Sequence, residues 1–292
     1  MLPSPARRLL LAVSTLLFSH LALAAPALHL EVYNPGHDAI FPVTSVLVTG
    51  EKDAILVDAQ FGKAEAEHLV NSIRASGKNL TTIYISHGDP DYYFGLQTIT
   101  AAYPKAKVLA TAQTVAHIEK TMHDKLAYWG PKLGDNAPSK LLVPDVLQGN
   151  SLTLEGQPLQ IMGLDGAQPE RSYLWIPSLK AVVGGVVLSS NIHVWMADTQ
   201  TPQSHQAWLA TLAQIEGLKP STVVPGHFLP GEQKLQNAAE NTAQYIRAFD
   251  AETAKASNSS ELIDAMKKRY PKLQDVPSLE LSAQVAKGEL QW

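Results

Sequence analysis

Short apolar runs alternate with stretches of amphipathic spacing along the first half of the chain. Runs in which apolar and polar residues alternate predict β-strands, because successive strand side chains point to opposite faces. These predicted strands lie at residues 28–33, 43–48, 54–58, 80–85 and 107–110. Apolar residues at helical spacing predict helices at residues 62–76, 94–103 and 112–128. Residues 129–138 contain two glycines and two prolines and are predicted to form a loop insertion.

The second half of the chain repeats this order. Its predicted strands lie at residues 141–147, 151–154, 159–162, 172–176, 181–187 and 222–224. Its predicted helices lie at residues 203–218, from about 233 to 249, and 259–270. Each half therefore begins with strands and continues with alternating helices and strands. This order predicts an α/β fold in which two sheets pack face to face with helices outside, a four-layer αββα sandwich.

The N-terminal residues have the pattern of an export signal rather than of a folded segment. Arg7 and Arg8 precede an apolar run, and Ala22-Leu23-Ala24 matches a cleavage site. Polar residues interrupt the apolar run, which disfavours a membrane span. We therefore predict a signal peptide at residues 1–24 and a single mature domain at residues 25–292, located in the periplasm or outside the cell. The paired arginines leave the general and the twin-arginine export routes open.

Composition and charge narrow the classes of partner. The formal net charge is −4 and the lysines and arginines form no stripe, so nucleic acid is not an expected partner. No later run reaches membrane-spanning length, so no membrane partner is expected once the signal peptide is removed. The chain has no cysteine, so a metal ion would have to be bound by His, Asp, Glu or Tyr. The expected partner is a small molecule.

The candidate chemistry is concentrated where the predicted strand at residues 80–85 ends. His87, Asp89 and Asp91 follow the strand within a few positions and are separated by a glycine and a proline, which place them on a tight loop. Two carboxylates this close repel each other unless a cation or a proton lies between them. The cluster therefore predicts a metal site. The alternative is a turn in which an aspartate caps the helix that follows.

Three segments, taken in order, carry a family resemblance. They are Leu56-Val57-Asp58 at the end of a hairpin, Ser86 to Gly95 after the next strand, and Val224-Pro225-Gly226-His227. With the helix before the third segment, they make residues from about 30 to 249 resemble the metallo-β-lactamase fold superfamily. The resemblance implies the αββα sandwich. It also implies a hydrolase of esters, lactams, thioesters or phosphoesters that typically binds two zinc ions.

The chain departs from the family's pattern of metal ligands. The family's central motif is His-x-His-x-Asp-His, and the corresponding positions of this chain are His87, Asp89, Asp91 and Tyr92. Ala167 stands where the resemblance places a further histidine, and Val186 stands where it places a bridging carboxylate. The resemblance therefore identifies a divergent secreted member with an altered motif, and two metals sharing a bridging carboxylate are not expected.

The residues that remain still offer a set of donors for a single metal ion. The predicted ligands of one divalent metal, Zn²⁺ with Mn or Fe as alternatives, are His87, Asp89, Asp91 and His227. In a hydrolase of this family Asp91 would also hold the attacking water, and Tyr92 or His193 would stabilise the oxyanion or orient the substrate. Two roles are open for Tyr92, a phenolate ligand or a hydrogen-bond donor.

Other polar and aromatic residues have two open interpretations. Asp58 is expected to support the loops more than to bind a metal. His193 is either a histidine facing the cleft or a loop histidine with satisfied hydrogen bonds. Trp129 and Trp195 either wall an apolar pocket or belong to the core or the rim. Five histidines are assigned to the scaffold, namely His29, His68, His117, His123 and His205.

Two functions from different classes follow. The first is a secreted metal-dependent hydrolase that acts on a small ester, lactone or amide through metal-activated water. The second is a degenerate, non-catalytic member that binds a ligand or partner in the same cleft. The loss of ligands at Ala167 and Val186 favours the second. The retained cluster of carboxylates favours the first, because buried charges without a partner are costly to keep.

Overall fold

The computed structural model describes residues 27–292, so the predicted signal peptide at residues 1–24 lies outside the described part of the chain. One sheet has six strands in chain order. They are β1 (His29–Tyr33), β2 (Ser45–Thr49), β3 (Asp53–Val57), β4 (Asn79–Ile85), β5 (Lys107–Ala110) and β6 (Asp145–Val146). The first three strands pair antiparallel, and β3 to β6 pair parallel. Parallel strands need crossover connections, which the helices of the first half supply.

The second half of the chain forms a second sheet and a short ribbon. The strands are β7 (Ser151–Leu154), β8 (Gln157–Met162), β9 (Tyr173–Ile176), β10 (Ala181–Val183), β11 (Ser189–Ser190), β12 (Thr222–Val223) and β13 (His227–Phe228). Five of them make the second sheet in the order β12-β10-β9-β8-β7, and β11 pairs with β13 in a parallel ribbon. The neighbours from β7 to β10 pair antiparallel, and β10 pairs parallel with β12.

Helices cover the outer face of each sheet. The helices of the first half are α1 (Lys63–Ser76), α2 (Pro90–Tyr93), α3 (Leu96–Ala102) and α4 (Ala112–Leu133). Those of the second half are α5 (Pro202–Gly217), α6 (Ala238–Thr253), α7 (Ser259–Arg269) and α8 (Val276–Ala286). Within residues 27–292, no helix is both long enough and apolar enough to cross a membrane.

Three apolar clusters hold the layers together. The cluster between the sheets packs residues such as Val48 and Val57 of the first sheet with Ile161 and Leu174 of the second. A second cluster joins the first sheet to α1, α3 and α4, and a third joins the second sheet to α5, α6, α7 and α8. Each buried apolar side chain contributes about 1.5–3 kcal/mol. The predicted four-layer αββα sandwich is confirmed.

The predicted loop at residues 129–138 is wrong in its first half. Helix α4 continues to Leu133, and it includes Pro131 in its last turn. Trp129 is buried and its ring lies 5.1 Å from that of Phe41 and 5.6 Å from that of Phe61, centroid to centroid. These contacts stabilise a helical turn that glycine and proline disfavour on their own.

Two predicted strands and one helix differ from the sequence expectation. The predicted strand at 141–147 is reduced to β6. The predicted strand at 181–187 ends at Val183, because Gly184 and Gly185 have φ angles of 69° and 78° and turn the chain out of the sheet. Helix α8 has no counterpart in the sequence expectation. Its apolar side chains Leu279 and Ala283 join the outer core of the second sheet.

Candidate functional site

The candidate site lies at the carboxyl end of β4. The strand is buried at Ile83, Tyr84 and Ile85, and it delivers a loop that leads into α2. Asp89 occupies the N-cap position of α2 with extended backbone, but its side chain makes no capping hydrogen bond. The carboxylate is therefore directed to other partners than the helix end. The alternative that Asp89 caps the helix therefore describes its backbone position, but its side chain contacts other residues of the site.

Asp58 and Ser86 connect the loops of the site through hydrogen bonds. The Oδ1 of Asp58 accepts a hydrogen bond from the Ser86 backbone N–H at 2.7 Å, and its Oδ2 accepts one from the Ser86 hydroxyl at 2.6 Å. The Ser86 Oγ in turn accepts a hydrogen bond from the Gly185 N–H at 2.7 Å. Burial raises the pKa of Asp58 to about 7, although the hydrogen bonds from Ser86 oppose the shift. Asp58 therefore supports the loops, as the sequence suggested.

Asp58→Asn is expected to remove a pH dependence of stability. Asp58 binds its proton more tightly in the folded chain than in the unfolded one, so the free energy of unfolding falls as the pH rises from about 4 to about 7. Asn cannot titrate, and it tolerates the positive φ of 65° at this position. Urea unfolding at about pH 5 and about pH 8 should show the variant gaining stability relative to the wild type at the higher pH.

The control for this comparison is Asp264→Asn, which removes an exposed carboxylate on α7. It should leave the pH slope of the wild type unchanged. An identical pH slope in the wild type and Asp58→Asn would show that Asp58 is ionised in the folded chain at all these pH values.

Asp89 lies at the centre of a cluster of basic groups. Nδ1 of His87 donates to the Glu170 carbonyl at 3.2 Å, and His87 Nε2 lies 3.2 Å from Asp89 Oδ2. The other carboxylate oxygen lies 3.4 Å from Nζ of Lys125 and 3.6 Å from Nε2 of His117. Burial raises the pKa of Asp89, but His87, His117 and Lys125 outweigh it and hold the pKa well below its usual value. Asp89 is therefore an ionised carboxylate with a lysine as its counter-ion.

His117 reaches the site from α4, and its assignment to the scaffold is wrong. A Cβ at Gly88 would lie 2.6 Å from Cδ2 of His117, so the glycine leaves the room that this imidazole occupies. The His117 ring lies 6.3 Å from that of His87, centroid to centroid. The helical spacing around residue 117 indicates only which face of α4 is apolar, so it does not indicate that this face meets the loop after β4.

His227 forms a separate pair with Asp91. Its Nε2 donates to Oδ2 of Asp91 at 2.8 Å, and its Nδ1 lies 3.3 Å from the Tyr92 hydroxyl. The same hydroxyl lies 3.4 Å from the Gly185 carbonyl oxygen. Burial raises the pKa of Tyr92 well above its usual value, and nearby carboxylates reinforce the shift. In this structure Tyr92 is therefore a neutral hydrogen-bonding group.

The expected metal ligands do not converge on one point. Within residues 27–292, no group of three or more His, Asp or Glu side chains is arranged to hold a metal ion. His87 and Asp89 form one pair, and Asp91 and His227 form the other, because Asp89 turns to Lys125 and His227 turns to Asp91. The four predicted ligands thus lie in two pairs in this structure, and the four-ligand metal site stays a prediction.

The two positions that lost family ligands have different surroundings. Val186 is one of the residues that line the cleft, so an apolar side chain stands there. Ala167 is exposed and is not among the residues that line the cleft, contrary to the expectation that both would face it.

A cleft with a cavity volume of about 60 Å³, partly open to solvent, is lined by Asp89 and by the Asp91–His227 pair. Its aromatic walls are Phe41, Trp129, Trp195, Trp208 and Trp292. Its charged and titratable lining residues are Asp89, Asp91, Lys125, His193, Asp198, His227 and Asp275. Trp129 is both core and wall, since it is 9% exposed and still borders the cleft. Aromatic and apolar walls with a few polar groups are typical of sites for small organic molecules.

His193 borders the cleft and also has a partner inside the fold. Its Nδ1 lies 3.0 Å from the Tyr245 hydroxyl of α6, and the residue is 1% exposed. Burial lowers the pKa of His193 to about 4, with a smaller effect from Lys267. The imidazole is therefore neutral near pH 7. Both sequence interpretations describe part of this arrangement.

Lys125 and two further residues of the site have no signal in the sequence. The first is Asp198, which accepts hydrogen bonds from the indoles of Trp195 and Trp292 at 2.6 Å each. The second is Arg171, whose side chain is buried with Cζ 4.1 Å from the ring centroid of Trp208. Its Nε and one Nη have no hydrogen-bond partner. Each of the three comes from a loop or helix far from the motif in the chain.

Comparison with known proteins gives a consistent family and fold. A family model described as "Metallo-beta-lactamase superfamily" matches residues 39–227. A metallo-beta-lactamase from Pontibacter korlensis is 17% identical, with a TM-score of 0.52 over 75% of this chain and 94% of that one. DIM-1 metallo-beta-lactamase is 18% identical, with a TM-score of 0.55 over 76% of this chain and 98% of that one.

A third solved structure extends the likeness over more of the chain. A metallo-beta-lactamase family protein from Thermus thermophilus is 16% identical, with a TM-score of 0.60 over 89% of this chain and 94% of that one. A search of curated proteins gives no match. At these identities the structural likeness shows the fold, and the chemistry has to be argued from the residues of this chain.

Proposed function

The chain belongs to the metallo-beta-lactamase superfamily, and from that premise we propose that it binds a small organic molecule in the cleft over β4 without using a metal ion. The observation that carries this proposal is the contact between Lys125 and Asp89. Members of this superfamily typically hold divalent metals among such side chains. Here the ammonium group of Lys125 supplies the positive charge that an ionised Asp89 requires.

A lysine at this distance also opposes a metal ion. An ammonium group 3.4 Å from a carboxylate oxygen repels a divalent cation bound by the same carboxylate. Burial lowers the pKa of Lys125, but Asp89 and other carboxylates outweigh it and raise that pKa overall, so the lysine keeps its charge at neutral pH. The negative charge of Asp89 is therefore balanced by the positive charge of Lys125.

The second candidate is the metal-dependent hydrolase, and one observation favours it. His87 donates its Nδ1 proton to a backbone carbonyl, an orientation that metal-bound histidines commonly have. Its Nε2 then faces Asp89 Oδ2 at 3.2 Å, and that contact requires a proton or a cation between the two atoms. The ligands of this candidate are His87, Asp89, Asp91 and His227, with one divalent metal such as Zn²⁺. Its substrate is a small ester, lactone or amide.

The place of action follows from the N-terminal segment. We propose a periplasmic or secreted protein, because residues 1–24 have the composition and the cleavage site of an export signal.

Metal content and chelator response separate the two candidates. The mature wild-type protein is expected to purify with far less than one equivalent of metal by elemental analysis, and EDTA should leave its melting temperature unchanged. A ligand that binds only the folded state raises the melting temperature, and a removable metal would do the same. One equivalent of tightly bound metal, with stability and ester hydrolysis that EDTA abolishes, would establish the hydrolase instead.

A further inference from the structure

The cleft in this structure is smaller than the kind of ligand that the proposed function assigns to it. Its cavity volume of about 60 Å³ has room for a few water molecules. Pockets that hold small organic molecules usually enclose about 300–1,000 Å³. At least one wall of the cleft therefore has to move before such a molecule can enter.

Three of the aromatic walls are fixed in the fold. Trp208 and Trp129 are buried side chains of α5 and α4. Trp195 lies between Val194 and Met196, and both of these neighbours are buried in the core. Moving any of these three rings would draw core residues into water, which is unfavourable. The wall that opens is therefore expected elsewhere.

Trp292 is the aromatic wall with the weakest attachment to the rest of the chain. It is 38% exposed, and it belongs to the segment that follows α8, residues 287–292. The Leu290 N–H donates to the Gln284 carbonyl at 3.3 Å. Beyond Leu290, the described part of the chain shows no hydrogen bond from the backbone of residue 291 or 292. The position of Trp292 therefore depends on its side chain.

Contacts of its side chain hold the Trp292 ring against the cleft. The indole N–H donates to Oδ1 of Asp198 at 2.6 Å. The ring centroid lies 5.2 Å from that of Trp195 and 5.3 Å from Nζ of Lys125. Asp198, Trp195 and Lys125 all line the cleft, so Trp292 closes it where these residues meet. Water can replace a hydrogen bond near the surface at small net cost, so the ring can be released without opening the core.

We propose that Trp292 is a gate of the cleft. In this structure the gate is closed, and the ring has to leave Asp198 and Trp195 before a ligand can enter. The inference rests on the proposed function, because it describes how the ligand of that cleft gains access. Opening is expected to enlarge the cavity and to leave the ammonium group of Lys125 more exposed, since the ring lies next to it.

The alternative is a permanent wall that limits ligands to the size of the closed cavity. A permanent wall excludes a larger molecule altogether. A gate admits the same molecule, but more slowly than an open cleft does, because only the fraction of the protein that is open can bind it. The rate at which a larger molecule binds therefore separates the two.

The probe for this test is N-phenyl-1-naphthylamine, a neutral dye that is too large for the closed cavity and that fluoresces in apolar surroundings. The mature wild-type protein is expected to bind it, and Trp292→Ala is expected to bind it about tenfold faster in stopped-flow mixing. Leu290→Ala is the matched control, because Leu290 is equally exposed in the same segment and does not line the cleft. It should keep the wild-type rate.

A second variant tests the gate without removing the ring. Asp198→Ala takes away the acceptor of the Trp292 indole, so the closed state is weakened and the dye should bind about fivefold faster than to the wild type. Asp264→Asn removes an exposed carboxylate of α7 and should not change the rate. The comparison of the wild type with Trp292→Ala tests the proposal even where Asp198→Ala fails to fold.

The outcomes distinguish this inference from the proposed function. A wild type that excludes the dye while Trp292→Ala binds it would show a permanent wall and overturn the gate. A wild-type rate in Trp292→Ala or in folded Asp198→Ala would also overturn it, and so would failure of the dye to bind any of these proteins. The proposed function fails by a different measurement, namely stoichiometric, chelator-sensitive metal in the purified protein.

Discussion

Replacing Lys125 with Met is expected to lower the free energy of unfolding by about 3 kcal/mol, because removing one partner of a buried ion pair leaves the other charge without compensation. The side chains of Lys125 and Asp89 are 21% and 18% exposed, so most of their surface is out of water. Met keeps the length of the side chain, and it loses the ammonium group that lies 5.3 Å from the ring centroid of Trp292 together with the contact to Asp89. Guanidinium unfolding followed by circular dichroism measures the change.

Two control variants show whether the loss of stability comes from the contact between Lys125 and Asp89. Lys120→Met removes an exposed lysine of the same helix and should change stability by less than about 0.5 kcal/mol. Adding Asp89→Asn to Lys125→Met should restore part of the loss, because the uncompensated charge is then gone. A loss in Lys125→Met no larger than that in Lys120→Met would mean that Asp89 does not depend on the lysine.

The same variant tests the proposal that Lys125 opposes a metal ion at Asp89. Without the ammonium group, Asp89 lies beside the imidazoles of His87 and His117, at 3.2 and 3.6 Å. Zn²⁺ is therefore expected to raise the melting temperature of Lys125→Met more than that of the wild type, because a cation replaces the one removed. An equal response of both proteins to Zn²⁺ would show that the lysine does not govern metal access.

Gly226→Ala is expected to destabilise the fold by about 3 kcal/mol or more and to abolish ligand binding. An added Cβ would lie 2.0 Å from the Gly185 carbonyl oxygen and 2.8 Å from the Tyr92 hydroxyl. The segment cannot retreat easily, because the Gly226 carbonyl accepts a hydrogen bond from the Thr44 N–H at 2.8 Å. The substitution therefore separates the two backbones that place His227 beside Asp91.

Gly217→Ala is the matched control for this prediction. Gly217 ends α5, its φ is not positive, and no atom lies within 4 Å of the position of a Cβ there. Alanine in a helical turn should leave stability unchanged or raise it by up to about 1 kcal/mol. Thermal unfolding measures both variants, and equal stability in the two would contradict the close packing at Gly226.

Much of the scaffold could be predicted from the sequence because its signals are local. Alternation of apolar residues depends only on near neighbours, so β4 and the strands before it were found close to their observed limits. Helix α1 was found for the same reason, since Leu69, Val70 and Ile73 repeat at helical spacing and are buried. The end of α4 was missed because its stability depends on the contact of Trp129 with Phe41, which comes from a segment far away in the chain.

The candidate site was also predictable only in part. The sequence locates three features of the site, because each follows an apolar strand that ends in polar residues. They are the polar residues from His87 to Tyr92, the supporting carboxylate of Asp58 and the turn before His227. Their partners could not. A carboxylate beside an imidazole in the chain predicts a cation, but it does not indicate whether that cation is a metal ion or a lysine.

The sequence by itself thus determined the layers of the fold, the loop that carries the acidic residues, and the loss of ligands at Ala167 and Val186. Only the tertiary structure decided that Lys125 supplies the charge next to Asp89 and that His227 pairs with Asp91. The physical reason is that electrostatic energy depends on distances through space, and the approach of α4 to the loop after β4 sets these distances. No local pattern of residues records that approach.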